Sequence, residues 1–144
     1  MSCQRIAGLF LRIVGGLLIV LGVVHIAATP HIPALLEGSP HGVYERAVGP
    51  TVLNHVLAGI LLLPLGYTTW LAAGASNLGK EWARRVLLVN TLVVLTMPAL
   101  IILLMRRPEY YASPLFLVGA GLSAAVSLLM AAAGLLLLRT RNPP

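Results

Sequence analysis

The chain has 144 residues, of which 58% are hydrophobic and only 10% charged, and its formal net charge is +6. A soluble domain of this length cannot hide so much apolar surface, because surface shrinks too slowly with volume. The ten basic residues stand in ones and twos at the ends of apolar runs. With no basic stripe to follow a phosphate backbone, nucleic acid is excluded as a partner, and membrane lipids take its place.

A helix rises about 1.5 Å per residue, so about 20 apolar residues match a hydrocarbon core of about 30 Å. Four runs meet that length, at about residues 6–28, 51–75, 86–105 and 114–138. The expected fold is all-α: an integral membrane four-helix bundle forming one transmembrane domain over residues 1–144, with an outer loop at 29–50.

Cys3 is the only cysteine, so an internal disulfide and a thiolate metal cluster are both excluded. Without an apolar run before it, Cys3 reads as a free thiol at the inner membrane edge. The first run is uncharged from Ile13 to Ala28, long for a signal core, and Thr29-Pro30-His31 makes a poor cleavage site, so a retained helix is expected. Arg12 lies inside that run and is expected to snorkel toward the nearer surface.

The 29–50 stretch carries Pro30, Pro33, Pro40 and Pro50, which stiffen it, and Gly38, Gly42 and Gly49, which let it fold back. The second run places His55 beside Asn54 about one turn after its start. Pro64 in this run and Pro98 in the third each remove a backbone donor and are expected to kink their helices. Asn90 in the third run reads as an interhelical hydrogen-bond donor. Arg106-Arg107-Pro108-Glu109-Tyr110-Tyr111 reads as a helix-end anchor. The fourth run repeats small residues every four positions, Gly119, Ser123, Ser127 and Ala131, beside a stripe of Ala120, Ala124 and Ala132. Such spacing admits close helix approach, with Gly8, Gly15, Gly16 and Gly22 of the first run as candidate receivers.

Seven basic residues (Arg5, Arg12, Lys80, Arg84, Arg85, Arg139, Arg141) fall on one side of the predicted topology and three (Arg46, Arg106, Arg107) on the other. The excess of positive charge puts both termini and the second loop in the cytoplasm and the protein in the cytoplasmic membrane. Trp70 and Trp82 bracket the inner loop, and Tyr110, Tyr111 and Phe116 the outer one, as interfacial aromatics should.

All four histidines lie between residues 25 and 55. His25 lies about one turn before the end of the first run and His55 about one turn after the start of the second, so antiparallel neighbours would hold both rings at similar depth. His31 and His41 lie in the connecting stretch with Glu45. Imidazole nitrogens ligate zinc, copper or iron, and a carboxylate can complete such a site. The candidate metal ligands are therefore His25, His55, His41, His31 and Glu45, with His25 and His55 also placed for a bis-histidine haem b. No spacing motif demands either cofactor. The bland alternative has His25 bonded to Asn54 or to a loop carbonyl.

Chemistry elsewhere is sparse. The sequence has no aspartate, and its four glutamates (Glu37, Glu45, Glu81, Glu109) are all expected in loops. Coupled transport usually needs an intramembrane carboxylate, and a Ser–His–Asp triad is excluded. An enzymatic role is not expected. The leading reading is an accessory or assembly subunit of a homo-oligomer or larger membrane complex, binding through a polar histidine-lined pocket at its outer face. The alternatives are a haem- or metal-binding redox or hydrolytic protein using His25 and His55, and a passive channel or carrier formed by an oligomer.

Overall fold

Backbone amides in a long apolar segment find partners within a helix, and every regular element described in the computed structural model is helical. The structure describes residues 3–37, 43–76, 80–104 and 114–139. Helix α1 covers Cys3–Ala28, followed by a 3-10 turn at Thr29–His31 and the short α2 at Ile32–Leu36. Then come α3 at Val43–Ser76, α4 at Glu81–Leu104 and α5 at Pro114–Arg139. Among the described residues, four helical stretches are long and apolar enough to cross a membrane: Arg5–Leu36, Tyr44–Ser76, Glu81–Leu103 and Leu117–Leu135.

The 29–50 stretch differs from the expected loop. It is helical over Thr29–Leu36 and again from Val43 onward. The prolines explain part of this, since Pro30 and Pro33 stand in the first positions of the 3-10 turn and of α2. A proline costs nothing there, because the first amides of a helix have no internal partner. Glu45 and Glu81, also expected in loops, occupy the first turns of α3 and α4, where a carboxylate complements the positive end of the helix dipole. Glu81 additionally accepts a 2.8 Å hydrogen bond from Arg85 one turn on.

The chain divides into two compact units, residues 1–15 with 68–144 and residues 16–67. In the first unit α4 packs along α5. Leu11 and Val14 of α1, Leu87 and Val94 of α4, and Val126 and Met130 of α5 are buried. Polar side chains are buried with them: Thr69, Ser76, Asn90, Thr91 and Ser127. Asn90 donates to Thr68 Oγ1 at 3.0 Å and to Thr69 Oγ1 at 2.9 Å, tying α4 to α3. It is the interhelical donor that its sequence position suggests.

Pro98 supplies a second tie. Its missing N–H leaves the carbonyl of Val94, four residues earlier, without its helical partner. The buried Ser127 hydroxyl of α5 lies 3.0 Å from that carbonyl oxygen and 2.8 Å from the Ser123 carbonyl, sharing one donated proton between them. A hydroxyl from a neighbouring helix is a standard way to satisfy an acceptor freed by proline in an apolar surround. The small-residue stripe of α5 is thus turned inward at Ser127, whereas Gly119 and Ala132 are exposed.

Arg12 is also accounted for. A side chain on Gly74 would start 3.0 Å from the Arg12 guanidinium, so the charge lies against the last turn of α3. The carbonyl end of a helix favours a cation. The long stem carries the guanidinium off the apolar part of α1, as snorkelling requires.

Candidate functional site

The second unit brings α1 and α3 together at a pair of glycines. A Cβ built on Gly22 would lie 2.9 Å from the Gly59 carbonyl oxygen. One on Gly59 would lie 2.6 Å from Ile26 Cγ1 and 2.9 Å from the Gly22 carbonyl oxygen. Only hydrogen fits at either position, so the two backbones touch. Gly22, one of the four glycines of the first run considered from sequence as receivers of a close approach, meets α3. The signal was present in the sequence, since each glycine lies three or four residues from a histidine.

That spacing builds the site. His25 follows Gly22 by three residues and His55 precedes Gly59 by four, which puts each ring on the same helix face as its glycine. Because the helices run antiparallel, both rings lie one turn to the same side of the crossing. Their centroids are 4.6 Å apart, with 31° between the ring planes. The close backbone approach is what lets two imidazoles meet across the helices. Both are half-buried.

His25 is oriented by its own helix. Its Nδ1–H donates to the Leu21 carbonyl oxygen at 2.9 Å, which fixes the tautomer and leaves Nε2 as an acceptor or ligand atom. The bond to Asn54 considered from sequence is not the one formed, and Asn54 is exposed. Thr29 donates its hydroxyl to the His25 carbonyl oxygen at 2.8 Å, closing the end of α1 next to the ring.

Of the other ligands expected from the sequence, His31 and Glu45 are not gathered here. His31 is exposed in the 3-10 turn, Glu45 is exposed in the first turn of α3, and His41 lies outside the described residues. Among the described residues no group of three or more His, Cys, Asp or Glu side chains could hold one metal ion. A bis-histidine haem fits poorly as well. With metal–nitrogen bonds of about 2 Å, coaxial ligation from opposite sides separates ring centroids by about 6 Å. The observed 4.6 Å stack is closer than that. The pair can supply two imidazole ligands to a small ion, or a donor and an acceptor to a polar group.

No protein-family model, curated protein or solved structure matches this chain. The site therefore has to be read from its own chemistry.

Proposed function

We propose that this is a small multi-pass membrane protein that works by binding at the His25–His55 end, as an accessory or assembly subunit of a larger membrane complex. Support for insertion comes from the distribution of apolar side chains. Leu61, Ile102, Val118 and Leu128 are each about two-thirds exposed or more, at 67%, 69%, 68% and 70%, while the interior carries Asn90, Thr69 and Ser127. Lipid accepts such an exterior and water does not. The basic excess near Arg5, Lys80, Arg84 and Arg85 supports cytoplasmic termini, which puts the histidine pair at the outer side of the cytoplasmic membrane.

The observation that carries the proposal is the imidazole pair itself, two polar rings in contact beside a glycine crossing of two membrane-length helices. Polar groups within membrane-spanning segments are costly and by default mark function. One observation favours a second reading, a transition-metal ion as the bound species. The fixed Nδ1–H of His25 aims the lone pair at Nε2, as in metal-binding histidines whose other nitrogen is anchored to a carbonyl. Two further ligands would then come from water, the partner or the remaining histidines.

The test is native mass spectrometry, elemental analysis and an absorption spectrum on protein gently purified from membranes, compared with His25→Ala and His55→Ala. A larger complex that both variants dissolve, free of metal, is the expected result. Stoichiometric zinc, copper or iron lost in both variants would establish the second reading. A metal-free protein whose associations ignore both substitutions would overturn both.

A further inference from the structure

A second feature lies in the other unit, residues 1–15 with 68–144. A cavity of about 300 Å³ runs along one face of α4, from Arg84 through Leu87, Leu88, Thr91 and Leu92 to Leu95. These positions recur every three or four residues and so form one continuous strip on the helix. The opposing wall is Leu11 of α1 with Ala131, Gly134 and Leu135 of α5. Eleven residues of rise make the groove about 16 Å long, close to the thickness of one leaflet of a hydrocarbon core of about 30 Å.

Its chemistry is polarised. Every lining side chain is apolar apart from Arg84 at one end and Thr91 midway. The Thr91 hydroxyl is turned into its own helix, donating to the Leu87 carbonyl oxygen at 2.7 Å, so it presents little polarity to the groove. Gly134 keeps the floor open: a Cβ there would have only Thr91 atoms as neighbours, at 3.9 Å. The cationic end lies in the first turn of α4, next to Lys80 and Arg85.

We infer that this groove holds one anionic glycerophospholipid, an acyl chain along the α4 strip and the phosphate at Arg84. A leaflet-length apolar trough closed at one end by a guanidinium matches such a lipid in both shape and charge. Basic pockets between membrane helices on the side of positive charge recognise anionic headgroups by this chemistry, and a guanidinium offers a phosphate a fork of hydrogen-bond donors. The inference rests on the membrane-spanning reading and is independent of what the histidine pair binds.

The full chain, delipidated in mild detergent, would be titrated with phosphatidylglycerol and phosphatidylcholine and read by native mass spectrometry. One retained phosphatidylglycerol is expected, preferred roughly fivefold over phosphatidylcholine, the factor one basic side chain contributes near an anionic headgroup. Arg84→Gln should remove the preference and leave phosphatidylcholine binding unchanged. Gly134→Leu should fill the floor and lose both lipids. Leu92→Trp, at a position 58% exposed, serves the same purpose without touching the core, and circular dichroism confirms the helices in each variant. Unchanged lipid retention in a folded groove-filling variant would overturn the inference. So would equal affinity for both lipids, or glycerol 3-phosphate competing as well as the intact lipid, which would mark a site for soluble anions. Labelling of the termini tests membrane insertion separately, so the two failures are distinguishable.

Discussion

At the scale of single residues, every buried side-chain nitrogen and oxygen among the described residues finds a hydrogen-bond partner, and the match between Pro98 and Ser127 is the most testable. Proline removes the amide that would have bonded Val94, and Ser127 donates to that same carbonyl from α5. Ser127→Ala should therefore cost about 1 kcal/mol, in the range measured for interhelical hydrogen bonds in membranes. The sharper expectation concerns coupling. In a Pro98→Ala background the helix supplies its own N–H to Val94, so the cost of Ser127→Ala should fall by at least half. A double-mutant cycle read by denaturant unfolding in detergent measures this; equal costs in both backgrounds would show that the hydroxyl does not serve the proline. Asn90, by contrast, was legible in the sequence as an interhelical donor, because a lone amide in an apolar run has few other uses. The Ser127 role was not, since it depends on which helix stands beside Pro98.

At the scale of elements, glycines separate into those that set a helix crossing and those that do not. Gly59→Ala places a methyl 2.6 Å from Ile26 Cγ1, and overpacking of that kind typically costs about 1–3 kcal/mol. It should also push α3 from α1 and part the two imidazoles, detectable as weaker coupling between spin labels placed on the two helices. Gly16→Ala and Gly119→Ala meet nothing within 4 Å. They should be neutral or stabilising by up to about 1 kcal/mol, because alanine is the better helix former. If all three behaved alike, the close crossing at Gly22 and Gly59 would be wrong. Element existence was readable from run length alone, but element ends were not. Pro30, Pro33 and Glu45 read as loop residues by type, yet each sits at a helix start, where its chemistry suits an end better than an interior. The same ambiguity hid the His25–His55 contact. Similar depth follows from the two run ends, but ring contact requires the glycine crossing, and four glycines of the first run were equally eligible for it.

For the whole molecule, the charge asymmetry makes a prediction about orientation that the single cysteine can test without any added group. With both termini in the cytoplasm, Cys3 should resist a membrane-impermeant maleimide on intact cells and react after permeabilisation. In a Cys3→Ser background, a cysteine introduced at Ser39 should label from outside, and one at Asn77 only after permeabilisation. The cause is the basic excess beside the ends of α1, α3 and α4, so replacing Lys80, Arg84 and Arg85 together by glutamine should weaken the bias and yield mixed labelling. The consequence reaches the site. His25 and His55 lie one turn beyond the Gly22–Gly59 crossing, toward the 29–42 connection and away from the chain's N-terminus. Protection of Cys3 with labelling at Ser39 therefore gives the imidazole pair to the outer side, where metal ions or partners arrive from outside the cytoplasm. The reverse pattern would turn the pair toward the cytoplasm and move the Arg84 groove into the opposite leaflet, leaving both geometries intact but exchanging the pools from which their ligands are drawn.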